Sequence, residues 1–437
     1  MGSKPFIFGE CATEVRDKVQ PEEANGARYI GLEHIEQGTL HLNGYGSAND
    51  VSSTKSKFSK GDILFGKLRP YFRKVVRAPF DGVCSTDIWV VRSTNGIDQG
   101  FLYYWMASQE FVDFSMQGSE GTKMPRAKWN HVSKHQSPFF SEEEQKAIAH
   151  ILGSLDDKIE LNRRMNKTLE AMAQALFKSW FVDFDPVIDN ALAAGNEIPE
   201  ELKERAEIQE ALGDARKPLP EDSQNLFPSE FEHTEEMGWI PKGWEVSTVG
   251  EEFDVTMGQS PPGSTYNETG EGIPFFQGRA DFGFRYPSER VYCTAPKRFA
   301  EQNDTLVSVR APVGDVNMAL EKYCIGRGVG AVRHKSFSRS YTYYSMLQLR
   351  EHFNAFEAEG TVFGSISQKD FKALKWLSFD KSLIKNYEYF AGQFDEKIEG
   401  CYRNILILTT TRDTLLPKLL SGEIRIPEAD KLVEGLA

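Results

Sequence analysis

The feature that most constrains this chain is that it is written twice. Leu155-Asp-Asp-Lys-Ile-Glu160 returns as Phe394-Asp-Glu-Lys-Ile-Glu399 and Glu120-Gly-Thr122 as Glu359-Gly-Thr361, both 239 residues later, and Tyr103-Tyr104-x-Met106 returns 240 residues later as Tyr343-Tyr344-x-Met346. Further back, Gly61-Asp-Ile-Leu-Phe65 pairs loosely with Asn303-Asp-Thr-Leu-Val307, Pro70 with Pro312, and Cys84 with Cys324. The order is kept throughout, which argues for a duplicated unit of roughly 180 residues with an insertion between the copies.

Each copy has a mixed front half and a helical back half. In the fronts, short β-prone runs (Asp62–Gly66, Ile88–Arg92, Thr305–Val309, Gly330–Arg333) are bounded by Gly, Pro and Asp, with helical stretches at Phe101–Gln109 and Tyr341–Phe356. The pattern predicts an α+β fold rich in antiparallel strands. The aromatic-rich Phe101–Phe114 is read as core rather than as a base-stacking platform.

The back halves carry the clearest periodicity. Ser141-Glu-Glu-Glu144 is a capping box opening a helix to about Trp180. Ile148, Leu152, Leu155, Ile159, Leu169, Ala173, Leu176 and Trp180 follow 4-3-4 spacing, interrupted by the polar Asn162 and Asn166. Phe394, Ile398, Cys401, Ile405, Leu408, Leu415 and Leu419 repeat the register in the second copy, where Pro417 is expected to bend or end the helix. Roughly 40 residues make a rod of about 60 Å, too long to stand alone. The obvious partner of each rod is its own repeat, and a pseudo-twofold axis would set the two antiparallel with the front domains at opposite ends.

The net charge of −13 is unevenly spread. From Asp183 to Glu236, 16 acidic residues face four basic ones, whereas Lys55–Arg77 holds eight basic residues against Asp62 alone. The basic run is a candidate phosphate footprint. The acidic stretch, with Pro186, Pro199, Pro218, Pro220 and Pro228 and one short helical stretch around Glu200–Leu212, reads as a tether with little core of its own. The chain thus divides into a first front domain (1–140), a first long helix (141–184), an acidic linker (185–238), a second front domain (239–382), a second long helix (383–421) and a C-terminal tail (422–437). Five scattered cysteines suggest neither disulfides nor a zinc site, and His131 and His135 lack further ligand candidates, so no metal is expected. No signal peptide or membrane span is read, which implies a soluble cytoplasmic protein.

Ser141 to Asn166, continuing to Leu176-Phe-Lys-Ser-Trp-Phe-Val-Asp-Phe184, resembles the central conserved helix of the specificity subunits of type I restriction-modification systems. Leu416-Pro-Lys-Leu-Leu-Ser-Gly-Glu423 is similar to the end of their distal helix, and Ile240-Pro-Lys-Gly-Trp-Glu-Val246 to the opening of their second target-recognition domain. No counterpart of that opening is visible near residue 1. The resemblance covers the chain in order. It implies that each front domain reads half of a split duplex DNA site from the major groove. The helices would space the halves and dock two methyltransferase subunits, which carry S-adenosylmethionine, with motor-nuclease subunits as further partners.

The chain itself shows no adenine-methyltransferase Asn/Asp-Pro-Pro-Tyr/Phe motif, phosphate loop or dinucleotide fingerprint. It is expected to bind no cofactor and to catalyse nothing. Candidate DNA contacts are Lys67, Arg69, Arg73, Lys74, Arg77, Lys123 and Arg126 in the first copy and Arg279, Arg285, Arg310 and Arg327 in the second, because arginine forks onto guanine and lysine meets phosphate. Two other readings stay open: an adaptor whose rods assemble proteins without touching DNA, and an RNA-binding module, for which no signature stands out.

Overall fold

The computed structural model describes residues 4–121, 123–213, 218–310, 312–353 and 364–435. The chain forms two compact units, Met1–Asn166 with Gly400–Ala437, and Lys167–Glu399. The division falls inside both long helices, Glu142–Phe181 and Lys381–Ser421, so each unit owns a stretch of each. Neither boundary matches the segments expected from sequence.

In the first unit a four-stranded antiparallel sheet runs in the order Ala12–Val15, Ile88–Ser93, Ile63–Gly66, Val75–Arg77. The second unit repeats it as Phe253–Met257, Val329–His334, Thr305–Val309, Val313–Met318. Ile63–Gly66, Ile88–Val91 and Thr305–Val309 are buried at every position, so these strands read as continuous apolar runs rather than alternating ones. A second sheet in each unit contains one parallel pair at matching places. Cys84 lies between Ile30, in parallel register, and Ser56; Cys324 lies between Phe275, also parallel, and Phe299. The helices Gln99–Ala107 and Arg339–Gln348 start at equivalent caps, where Asp98 and Ser338 side chains accept from the amides of Phe101 and Tyr341. The repeat Glu120–Thr122/Glu359–Thr361 lies partly outside the described residues.

The first unit does have an opening strand. Phe6–Ile7 pairs with Gln136–Ser137 just as Glu245–Thr248 pairs with Lys375–Ser378.

Within each unit the two helices run antiparallel. In the first, Asp156 meets Arg412 and Met165 meets Cys401; in the second, Glu170 lies near Asp395 across Arg285, and Tyr387 donates to the carbonyl of Ala173. The Ser141 capping box is present in both directions. Ile148, Leu152, Leu155, Ile159, Ala173, Trp180, Ile398, Cys401, Leu408, Leu415 and Leu419 are buried, whereas Asn162, Leu169, Leu176, Phe394 and Ile405 are half-buried. Phe177 rather than Leu176 fills the seam, packing on Tyr341, Trp376 and Tyr387. Pro417 does not end its helix, which runs on to Ser421.

The expected acidic tether is folded. Its helices Asp185–Ala194 and Glu200–Leu212 bury Val187, Ile188, Ala191 and Ala206, Arg205 grips Asp185 at 2.7 Å, and Phe227 packs edge-on to Trp180. The C-terminal tail likewise forms Ile426–Glu434, whose Ala429 and Val433 join the first unit's core.

Each unit buries one ionic cluster against a long helix. In the second, Arg285 is 0% and Asp395 1% exposed; Nη2 of the arginine lies 2.6 Å from Oδ1, Tyr344 donates to the same oxygen at 3.1 Å, and the guanidinium stacks 3.5 Å from the Tyr343 ring. Burial works against the Arg285 charge, but Asp395, with Tyr343, Tyr344 and Glu170 adding to it, outweighs that cost and holds the guanidinium well above its ordinary pKa. In the first unit Arg412, 1% exposed, bonds Asp156 at 2.7 Å and the carbonyl of Thr39 at 3.1 Å, and Tyr104 donates to Asp156 at 2.7 Å.

Removing one partner of such a pair strands a buried charge. Arg285→Ala is therefore expected to lower unfolding free energy by ~3–5 kcal/mol in urea titration. The exposed Arg327→Ala should change it by less than about 0.5 kcal/mol. Equal, small effects of the two would mean that the buried cluster contributes nothing.

Two histidines generate a pH dependence. His135 accepts from Trp105 Nε1 at 3.0 Å, His334 stacks edge-on to Phe253 and Tyr341, and burial pulls both pKa values down to about 4. The unfolded chain, with histidine near 6.5, binds more protons between those values. Stability present above pH 6.5 is thus lost progressively as pH falls towards 4, by roughly 2 kcal/mol per histidine at pH 5. His135→Asn, which keeps an acceptor for Trp105, should narrow the gap between urea midpoints at pH 7.5 and pH 5; an unchanged gap counts against the buried neutral imidazole.

Candidate nucleic-acid interface

The loops at one end of the sheets gather in equivalent ways in the two units. In the first, Ser85 N donates to Ile30 O, Lys67 N to Asp87 O, and Leu68 bridges Arg126. In the second, Gly326 N donates to Phe276 O, Val309 N to Gly328 O, and Arg310 bridges Ser365. Lys67, Arg69 and Arg126 belong to the first of these loop sets, and Arg279, Arg310 and Arg327 to the second. Cations picked separately from the two copies thus fall at the same end of the same framework.

They are not equally available. Arg285 must be removed from the DNA-contact set, because it is wholly buried against Asp395 and faces no solvent. Arg73 and Lys74 have internal duties: the guanidinium bonds the Gly38 carbonyl and lies 3.5 Å from Asp413, and Nζ of Lys74 bonds the Leu32 carbonyl at 2.6 Å. Burial pulls the Lys74 pKa down, with Glu33 opposing. Arg69 and Arg73 flank the single turn Pro70–Phe72 at φ +51° and +46°, and buried Nε of Arg69 has no hydrogen-bond partner. These residues build the loop rather than project from it.

Others do project. Lys123, Arg77, Arg310 and Arg327 are exposed and Lys67 half-buried, without an ion pair among the described residues. Arg126 is drawn to Asp87 at 3.2 Å and Arg279 to Asp315 at 2.6 Å, which partly neutralises both. Arg77 also lines a cleft of about 1010 Å³ with Lys60, His150 and Arg163, but Asp98, Asp157 and Glu160 share that cleft and leave it mixed in sign. Here His41, 3.2 Å from Glu160, draws the carboxyl down to about 2.

His131 and His135, at helical spacing in sequence, do not share a helix face. His131 stacks on Phe114 at 4.4 Å, while His135 lies beyond the turn Trp129–Val132. Among the described residues no cluster of His, Cys, Asp or Glu could hold a metal ion, and no helix is long and apolar enough to cross a membrane. Sequence reasoning, which looked only for cations, missed the exposed Gln259 and Gln277 in these loops. Their position after repeated strands was the available signal.

The model of the type I restriction modification DNA specificity domain matches residues 13–171 and 241–375. The chain is 27% identical over 412 residues to the type I restriction enzyme HindI specificity subunit of Haemophilus influenzae, covering 85% of this chain and 88% of that one. It is 36% identical over 208 residues to the MjaX specificity subunit of Methanocaldococcus jannaschii, where the match spans 45% of this chain and 48% of the relative. The fold is that of the type I system S subunit from M. genitalium, with TM-score 0.52, 16% identity and coverage of 95% and 96%. The family model matches twice, once over each copy of the repeat, and together the matches cover more than half of the chain: the chain belongs to the DNA specificity family of type I restriction-modification systems, whose members recognise the DNA target.

Proposed function

We propose that this chain reads a split duplex target, one half-site per unit, through the loop ends that carry Lys67, Lys123 and Arg126 in the first unit and Arg279, Arg310 and Arg327 in the second. The observation that carries this reading is the recurrence of exposed cations at the equivalent end of both repeated sheets. Cations there can meet phosphates, and strand-end loops are narrow enough to address a major groove. A purely scaffolding role gives no reason for both copies to place charge there.

The catalytic work falls to partners in this reading. Two methyltransferase subunits holding S-adenosylmethionine, with motor-nuclease subunits, would act in the cytoplasm on the site that this chain selects. Large apolar side chains left exposed on the long helices, Leu161, Leu406 and Ile407 in the first unit and Met172 and Tyr389 in the second, supply surface for such docking. The isolated chain is expected to transfer no methyl group to DNA; robust transfer by purified chain would refute the non-catalytic assignment.

Lys67→Ala with Lys123→Ala should weaken DNA binding by the assembled complex similarly on all sequences. Each lost phosphate contact reduces the slope of log affinity against log salt by about 0.9, so the pair should flatten it by nearly two. A slope identical to that of the unaltered complex would take this face off the DNA.

A further inference from the structure

We propose that Gln259, Gln277 and Arg327 read base edges in the half-site of the second unit, a residue-level assignment that rests on the DNA-reading role above. Three loops carry them: Gly258-Gln259-Ser260 after strand Phe253–Met257, Gln277-Gly278-Arg279 after Ile273–Phe276, and Gly326-Arg327-Gly328 between Tyr323–Ile325 and Val329–His334. Their main chains are tied to one another. Gln259 N donates to Ile325 O at 3.0 Å, Gly258 N to Val329 O at 2.9 Å, Gly328 N to Gln277 O at 3.0 Å, and Arg327 N to Ser260 Oγ at 3.3 Å.

The approach is close enough to require glycine. A Cβ at 258 would sit 2.1 Å from the Gly326 carbonyl oxygen, and one at 328 would sit 2.4 Å from the Gln277 oxygen. With the backbone polar groups spent on one another, the knot has little freedom to rearrange, and what it offers to a ligand is side chains. Gln259, Gln277 and Arg327 are exposed and have no side-chain hydrogen bond or ion pair among the described residues. The nearby Arg279 and Arg350 instead share Asp315, at 2.6 and 2.9 Å.

The glutamines decide between phosphate contact and base reading. A carboxamide carries no charge and adds nothing to counterion release, but it can donate to and accept from adenine N7 and N6 together, as a guanidinium forks onto guanine O6 and N7. Two carboxamides and one guanidinium on a rigid support form a reading set, not a phosphate clamp. The matching loops of the first unit carry Asp17 and Glu33, acceptors suited to a cytosine amine, and Asp87, which already accepts from Arg126. One framework thus presents two chemistries.

The test is methylome sequencing of a host carrying the assembled complex with Gln259→Ala, Gln277→Ala, Arg327→Ala or Arg327→Lys. Each is expected to relax one or two positions in a single shared half-site, with roughly 10- to 100-fold loss of discrimination there. The other half-site should stay intact. Lysine should not restore the position, because it lacks the fork. All four side-chain changes are at the surface, so urea midpoints should match the parent. An unchanged target in the three alanine variants, or a uniform fall in methylation without relaxed bases, overturns the assignment alone. A parent complex that marks no split target overturns the DNA-reading role and the assignment with it.

Discussion

Each long helix carries one carboxylate that its unit must hold in place. Asp156 and Asp395 occupy equivalent positions of the repeat, and each accepts a hydrogen bond from an equivalent tyrosine, Tyr104 or Tyr344, on the helix of its front domain. Burying an unpaired carboxylate would cost several kcal/mol, so a guanidinium has to reach each one. Apolar packing around it, such as Leu155 and Ile159 on the first helix or Phe177 and Trp180 further along, would tolerate small slips and rotations. A bond between a phenol of the domain and a carboxylate of the helix tolerates far less. The ionic cluster therefore sets how each front domain is rotated on its own helices, whatever its net contribution to stability.

The two copies solve the charge problem differently. The first takes its arginine from the other long helix, where Arg412 also reaches the Thr39 carbonyl in the front domain. The position 239 residues earlier is Ala173, too small to help, and its carbonyl is instead bonded by Tyr387. The second copy recruits Arg285 from a front-domain loop, flattened on the Tyr343 ring. The carboxylate and phenol are kept, and the cation is replaceable so long as one arrives. This also explains why Arg285 could not be told from a DNA-facing arginine in sequence. Its flanks, Phe284 and Tyr286, look like many surface stretches, and its partner is 110 residues away.

What was legible in the sequence was whatever is written locally or twice. The capping box, the extent of both long helices to within three residues, the strands Ile63–Gly66, Ile88–Ser93, Thr305–Val309 and Val329–His334, and the duplication itself all follow from short-range pattern. The seam drifted for a physical reason. A strict seven-residue repeat lags a straight helix by ~20° per heptad, so four heptads on from Ile148 the buried position has moved nearly one residue, from Leu176 to Phe177. The acidic stretch misled because composition dominated a few anchors: Val187, Ile188 and Phe227 suffice to fold it onto a core already built by Trp180. The opening strand Phe6–Ile7 is two residues long, below what pattern can register.

The same division between framework and loop bears on how a new target can arise. The central strands Ile63–Gly66, Ile88–Val91 and Thr305–Val309 are buried on both faces, so substitutions there create cavities or overpacking and are constrained by volume. The loops of the second unit are constrained differently, because their main chains are bonded to one another and two glycines have no room for a side chain. Backbone change is closed off while side-chain change is open at Gln259, Gln277 and Arg327, whose exposed ends touch nothing that holds the fold. Exchanging a carboxamide for a carboxylate or a guanidinium there alters which base edge is matched without disturbing a single framework contact. A protein that must keep fixed docking surfaces for partners while changing the sequence it selects needs that separation, and the glycine-locked loops provide it.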